Sequence, residues 1–141
     1  MAQFIEFVGN HWLLSTLFVL IILLLVFDSM RGRLLGFNEV KPDDAVRLIN
    51  RDDAIVIDVR DDNEYQSGHI INAIHIPLPL LDNRITQLSD AKDNPLLVYC
   101  RTGNRSAQAA SQLMKLGFSK VHKLSGGISA WQSANLPVSK R

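Results

Sequence analysis

The chain of 141 residues has one cysteine, no run of like charges, and almost no charge in its first 30 residues. A single cysteine cannot form an intramolecular disulfide, which excludes a disulfide-stapled secreted scaffold. Fifteen basic and fourteen acidic side chains nearly balance, so the composition gives no sign of a basic surface that would bind nucleic acid. Residues 1–30 contain only two charges, Glu6 and Asp28. The sequence therefore divides into an apolar N-terminal segment, residues 1–30, and a remainder of ordinary globular composition.

The apolar segment has no charged side chain from about residue 8 to residue 27. A helix of that length spans about 30 Å, the thickness of a hydrocarbon core, so the segment is predicted to be a transmembrane helix. A cleaved signal peptide needs a basic start and a small-residue cleavage site, and this segment has neither. Because Arg31 and Arg33 follow it, we expect a single pass through the inner (plasma) membrane, with the N-terminus outside and the C-terminal domain in the cytoplasm. The lipid bilayer is the expected partner, and another membrane protein is a further candidate.

The rest of the chain is predicted to be a short linker at residues 31–37, one domain at residues 38–137, and a tail at residues 138–141. Short apolar runs, typical of buried strands, alternate in this domain with helical patterns. The runs cover residues 54–59, 73–76, 96–99 and 121–124, and the helices begin near residues 42, 80, 106 and 127. This alternation predicts an α/β domain with a mostly parallel sheet covered by helices. Sites in such sheets form at the carboxyl ends of the strands.

The only cysteine, Cys100, lies between a predicted strand and the best predicted helix. Such a loop directs backbone N–H groups toward its centre, and the helix dipole adds about half a positive charge there. The predicted anion-binding residues are the rest of the loop: Arg101, Thr102, Gly103, Asn104, Arg105 and Ser106. The two arginines would lower the pKa of the thiol further. Although a lone cysteine is often an inert core residue, these neighbours predict a nucleophile that accepts a sulfane sulfur as a persulfide.

Three further residues are predicted to support the site. Asp58 and Arg60 lie at the carboxyl end of the strand at residues 54–59, and Arg60 and Glu64 are spaced to form an ion pair that holds the neighbouring loop. His69 and His75 could act as metal ligands or as a base. Because no cysteine or acid accompanies them at metal spacing, structural hydrogen bonds are the favoured interpretation, and no metal site is predicted.

The loop at residues 100–105, C-R-T-G-N-R, resembles the C-R-x-G-x-R active-site loop of rhodanese-like sulfurtransferases. The first signature of that family is similar to residues 57–60 with Glu64, residues 68–70, residues 72–73 and residues 75–77. Its C-terminal signature is similar to Gly126, Gly127, Trp131 and Pro137. The resemblance covers roughly residues 38–137. It implies a five-stranded parallel sheet with helices on both faces, a persulfide on Cys100 held by loop amides, and no metal or organic cofactor.

Loop length separates this resemblance from the main alternative, a phosphatase or arsenate reductase. Those enzymes place an arginine at the sixth position after the cysteine, where it grips a tetrahedral anion. Here that position is Ser106, and Arg105 comes one residue early. The predicted function is a membrane-anchored sulfurtransferase that moves sulfur from a donor such as thiosulfate through Cys100 to a thiol or cyanide. The alternative is a membrane-tethered interaction or regulatory module whose main role is partner binding.

Overall fold

The computed structural model describes residues 11–34 and 36–140, and the chain forms two compact units, Met1–Leu34 and Leu35–Arg141. The first unit contains helix α1, Trp12–Leu34, which continues into the predicted linker. Among the described residues, no helix combines the length and apolarity needed to cross a membrane. The transmembrane helix predicted at residues 8–27 is therefore not supported, and its first three residues lie outside the described part.

The strands of the second unit are β1 Asn38–Val40, β2 Ile55–Asp58, β3 His69–Ile70, β4 Ile74–His75, β5 Leu96–Tyr99, β6 Val121–Leu124 and β7 Val138–Ser139. Five of them form a sheet in the order β1-β6-β5-β2-β4, with every neighbouring pair parallel. The helices are α2 Pro42–Arg51, α3 Asp62–Ser67, α4 Leu81–Arg84, α5 Asn104–Lys115 and α6 Gly127–Ser133. This architecture confirms the predicted α/β domain and the parallel sheet.

Strand β5 lies at the centre of the sheet, and its four residues are completely buried. It pairs with β2 from Ile55↔Leu96 to Asp58↔Tyr99 and with β6 on its other side. One buried face of the sheet includes Leu96, Val98 and Cys100, and packs against Ala109, Ala110 and Leu113 of α5. The opposite face includes Leu97 and Tyr99 and packs against Ile128 and Trp131 of α6. The carboxyl end of β5 is therefore enclosed between helices on both faces.

Three features of the fold differ from the prediction. Strand β1 was not predicted, because its three residues are mostly exposed and carry no apolar run. Strands β3, His69–Ile70, and β7, Val138–Ser139, form a separate antiparallel pair, so the predicted tail contributes a strand. The helix expected at residues 80–88 is a series of two 3₁₀ helices, Leu78–Leu80 and Ile85–Ala91, around α4.

The apolar spacing within this irregular segment is nevertheless that of a helix. Leu81, Ile85 and Leu88 are all buried, and they are spaced four and three residues apart. The 3₁₀ stretch also contains Thr86, Ser89 and Asp90, and such side chains compete for backbone hydrogen bonds. The segment keeps its contact with the core without forming a continuous α-helix.

Candidate active site at Cys100

The site begins with Cys100, which follows the last residue of β5 and is only 1% exposed. Helix α5 starts four residues later at Asn104. Because β5 lies between β2 and β6, its carboxyl end is an inner position of the sheet, where parallel α/β domains place their ligands. The structure thus puts the predicted nucleophile at the floor of a short strand-to-helix loop.

The sulfur of Cys100 is held by groups of its own loop. The backbone N–H of Gly103 donates to Sγ over 3.1 Å, and Ser106 Oγ lies 3.5 Å from Sγ in hydrogen-bond contact. The Ser106 hydroxyl also donates a hydrogen bond to the Gly103 carbonyl oxygen over 3.0 Å. Burial opposes ionisation of the thiol, but the hydroxyl of Ser106 and the backbone N–H groups of Ser106, Gly103 and Thr102 outweigh it and lower the pKa of Cys100. The loop therefore favours a thiolate.

Helix α6 holds the other side of the loop. The N–H of Ile128 donates to the carbonyl oxygen of Cys100 over 2.9 Å, and the N–H of Ser129 donates to the carbonyl oxygen of Arg101 over 3.3 Å. Gly127, at φ +59°, passes so close that a Cβ there would lie 2.6 Å from the Arg101 carbonyl oxygen and closer still to that of Cys100. The second glycine of the Gly126-Gly127 pair is therefore required by direct contact with the active-site loop.

Arg105 does not point a free charge at the site. Its guanidinium donates twice to Glu64, at 2.7 and 2.9 Å, and once to Asp61 at 3.4 Å. The bond from Arg105 lowers the pKa of Glu64, and the carboxylate in turn raises the pKa of Arg105, with a smaller contribution from Cys100. The predicted anion-binding arginine is therefore an ion-paired clamp that ties the start of α5 to α3.

The predicted Arg60–Glu64 pair is wrong, because each residue has another partner. Arg60 donates to both carboxylate oxygens of Asp58, at 2.7 to 3.1 Å, and to the Gly68 carbonyl oxygen at 2.7 Å. Its guanidinium also lies 5.6 Å from the ring centre of Tyr99. Asp58 and Arg60 are both buried. Asp58 and Arg60 thus support the ends of β2 and β5 rather than line the site.

The two histidines have structural contacts. The ring of Tyr65 stacks between them, with ring centres 3.9 Å from His69 and 4.4 Å from His75. His69 Nδ1 contacts the carbonyl oxygen of Tyr65 at 2.9 Å, and His75 Nε2 contacts that of Arg60 at 2.8 Å. These contacts agree with the predicted structural hydrogen bonding.

The remaining loop side chains, Arg101, Thr102 and Asn104, are exposed. Lys123 of β6 was missed by the sequence reasoning, yet a Cβ at Gly103 would lie 3.5 Å from its Nζ. A signal for it exists in the sequence. Residues alternate across a strand, so Lys123 shares a face with the apolar Val121, and a charge on a buried face is unusual.

Comparison with known proteins agrees with this geometry. The sequence matches the model of the rhodanese-like domain over residues 41–134. It is 30% identical over 139 residues to the uncharacterized protein YibN of Escherichia coli, covering 98% of this chain and 97% of that one. It is 33% identical over 97 residues to the thiosulfate sulfurtransferase GlpE of Coxiella burnetii, covering 69% and 89% respectively.

Among solved structures, the crystal structure of a rhodanese-related protein from Thermoplasma volcanium is similar, with a TM-score of 0.67 and 31% identity. The match covers 74% of this chain and all of that one. The family match includes the loop around Cys100 and the Gly126-Gly127 pair. The chain belongs to the rhodanese-like domain family.

Proposed function

We propose that this protein is a sulfurtransferase in which Cys100 carries a sulfane sulfur as a persulfide. A general sulfurtransferase role is supported by the family and by relatives such as the thiosulfate sulfurtransferase of C. burnetii. The observation that carries the proposal is the set of contacts to Cys100 Sγ from Gly103 and Ser106, which lower the pKa of the thiol. A thiolate is the form of cysteine that attacks sulfur.

In the first step, the Cys100 thiolate attacks the outer sulfur of a donor such as thiosulfate. A new S–S bond forms at Cys100, and the S–S bond of the donor breaks, so that sulfite leaves with the electron pair. Because Cys100 is only 1% exposed, the donor must present its reacting sulfur on a slender group. The persulfide then occupies the space bounded by the loop N–H groups.

In the second step, an acceptor thiolate or cyanide attacks the outer sulfur of the persulfide. The bond between the two sulfurs breaks, and Cys100 leaves as the thiolate that started the cycle. The N–H of Gly103, 3.1 Å from Sγ, stabilises that leaving thiolate, and the Ser106 hydroxyl, 3.5 Å from Sγ, can turn to donate to it as well. Both steps balance without a metal, an organic cofactor or an external oxidant.

Mass spectrometry of the intact full chain after incubation with thiosulfate tests the first step. Since the chain has one cysteine, any gain of a single sulfur atom that thiol reagents remove is assigned to Cys100. We expect the wild type to gain that atom and to release thiocyanate when cyanide is added. The Cys100→Ser variant should gain nothing, because serine forms no persulfide.

Ser106→Ala provides a matched variant that retains the nucleophile. Without the hydroxyl, the pKa of Cys100 should rise, and persulfide formation near neutral pH should slow by about tenfold, the size of one hydrogen bond to a charged group. A wild-type chain that gained no sulfur from thiosulfate or from a small persulfide would contradict the proposal. An equal gain in Cys100→Ser would do the same.

A further inference from the structure

Lys123 places a positive charge on a buried face of the sheet beside the active-site loop. It pairs in register with Val98 of β5 and with Glu39 of β1. Val98 and Cys100 belong to one buried cluster, together with Val121 of β6. Because paired residues of parallel strands share a face, Lys123 lies on the same side of the sheet as Cys100. Its side chain is only 14% exposed.

The ammonium group reaches the loop at the residue that holds the sulfur. A Cβ built on Gly103 would lie 3.5 Å from Lys123 Nζ, and the N–H of the same Gly103 donates to Cys100 Sγ over 3.1 Å. The charge therefore lies beside Gly103, the residue that contacts the sulfur, in a part of the molecule where burial weakens screening by solvent.

The three basic side chains near the loop differ in how they are neutralised. Arg105 is bound at short range by Glu64, and Arg101 is exposed to solvent. The carboxylate of Glu39 lies 3.4 Å from Lys123 Nζ, and the Glu39 side chain is 46% exposed. Because water reaches the Glu39 carboxylate and screens it, Glu39 neutralises the charge of Lys123 only weakly. Lys123 thus retains more of its field at the loop than Arg105 does.

Building on the sulfur transfer proposed above, we propose that Lys123 is a positioning residue that selects anionic sulfur donors. Its ammonium attracts the negatively charged group of a donor such as thiosulfate toward the Gly103 side of the loop. A neutral reagent of the same size gains nothing from that charge. The effect of the Lys123 charge on the reactivity of the Cys100 thiolate, in contrast, is the same for both reagents. The ratio of the two rates therefore isolates the effect on the incoming molecule.

Alkylation of Cys100 in the full chain measures that ratio without any sulfur transfer. Iodoacetate is anionic, iodoacetamide is neutral, and both have the same leaving group and nearly the same size. We expect Lys123→Met to lower the iodoacetate-to-iodoacetamide rate ratio by about fivefold, the effect of one charge at moderate distance and screening. Lys123→Arg should keep the ratio within about twofold of the wild type.

Two other variants make the test independent of any folding defect. Lys120 precedes the same strand and is exposed, so Lys120→Met should leave the ratio unchanged. Glu39→Gln changes an exposed partner and should raise the ratio by about twofold, because it removes the compensating charge. An unchanged ratio in Lys123→Met would overturn the inference, including the case in which both reagents slow equally.

Kinetics with thiosulfate separate this inference from the proposed function. If the wild type forms no persulfide, the proposed function fails, and the alkylation ratio still decides whether Lys123 attracts anions. If the wild type forms the persulfide, Lys123→Met should raise KM for thiosulfate by about fivefold, while KM for an uncharged sulfane-sulfur donor should change less than twofold. Equal KM values for the variant and the wild type would overturn the inference alone.

Discussion

The end of strand β2 and the active-site loop each hold an arginine against a carboxylate, but in different surroundings. In the Asp58–Arg60 pair, the side chains are 0% and 6% exposed and come from neighbouring positions in the chain. In the Glu64–Arg105 pair, they are 26% and 33% exposed and lie 41 residues apart. Both arginines contact two carboxylate oxygens, so the geometry of the ion pair is similar and the solvent access differs.

This difference in solvent access gives the two ion pairs different roles, one in the stability of the fold and the other in the reactivity of the thiol. Removing one member of a buried pair leaves an uncompensated charge in a poorly solvated place, which strongly destabilises the fold. A partly exposed pair contributes little to stability because water replaces the lost partner. The exposed pair lies next to the thiol, however, and the charge of Cys100 contributes to the raised pKa of Arg105. We therefore expect the first pair to affect stability and the second to affect reactivity.

The largest effect is expected when the buried pair is broken. Arg60→Met keeps much of the side-chain volume but removes the counter-charge of Asp58 and the hydrogen bond to the Gly68 carbonyl oxygen. We expect the free energy of unfolding to fall by about 3–5 kcal/mol. Urea denaturation of the full chain, followed by circular dichroism, measures this change.

A double variant shows whether the charge left behind is the cause. Arg60→Met with Asp58→Asn removes both charges, so it should cost less than the sum of the two single variants, with a coupling of at least about 1 kcal/mol. A loss of less than about 1 kcal/mol in Arg60→Met alone would show that the pair is no more important than a surface ion pair.

The loop has one contact that should affect stability and reactivity together. Gly127→Ala introduces a Cβ against the carbonyl oxygens of Cys100 and Arg101 at a φ of +59°. We expect a stability loss of about 2–3 kcal/mol from the strained φ and the overlap. The Cys100 thiol should also react more slowly with iodoacetamide, because the loop backbone must move.

Gly117→Ala is the matched control for this substitution. Gly117 has a φ of +95°, and a Cβ there would meet nothing within 4 Å. It should lose about 1 kcal/mol from backbone strain alone and keep the wild-type reactivity of Cys100. Equal stability losses in the two variants, with equal thiol reactivity, would show that the close approach of Gly127 to the loop has no consequence.

The sequence predicted the parts of this architecture that depend on local pattern. The apolar runs of β2, β5 and β6 and the spacing in α5 identify the buried elements, and the position of Cys100 follows from them. The partners of the charged residues were not predictable in the same way. Glu64 is four residues from Arg60, but its actual partner comes from 41 residues away, and sequence separation carries no information about such a contact.

The irregular elements escaped prediction for a related reason. Strand β1 and the β3–β7 pair are two or three residues long, too short for an alternating pattern to be distinguished from a loop. They form because tertiary neighbours supply the hydrogen bonds, as β6 does for β1. Lys123 shows the same limit, since its approach to Gly103 depends on the order of strands in the sheet.

A smaller effect is expected when the partly exposed pair is broken. Glu64→Gln removes the charge that neutralises Arg105, so the guanidinium should stabilise the Cys100 thiolate more strongly and lower its pKa further. The alkylation rate with neutral iodoacetamide near neutral pH should rise by about threefold, or about 0.7 kcal/mol. Arg105→Met should change the rate in the opposite direction.

Asp62→Asn is the control for charge on the same helix. Its carboxylate is 79% exposed and contacts His75 rather than Arg105, so the alkylation rate should stay close to that of the wild type. If Glu64→Gln and Arg105→Met both slowed alkylation, the pair would act by holding the shape of the loop, and the charge argument would be wrong.

The smallest expected effect is a pH dependence of stability at the partly exposed Glu64–Arg105 pair. The hydrogen bond from Arg105 lowers the pKa of Glu64 in the folded protein. A carboxylate with a lowered pKa stabilises the fold above its ordinary value, about pH 4.3, and loses that contribution as the pH falls through the lowered value. The wild type should therefore exceed Glu64→Gln in stability by at most about 1 kcal/mol at neutral pH, and this difference should shrink at acid pH. Urea midpoints of the two chains measured from neutral to acid pH give the result, and a difference that stayed constant over that range would show that Glu64 is not held ionised by Arg105.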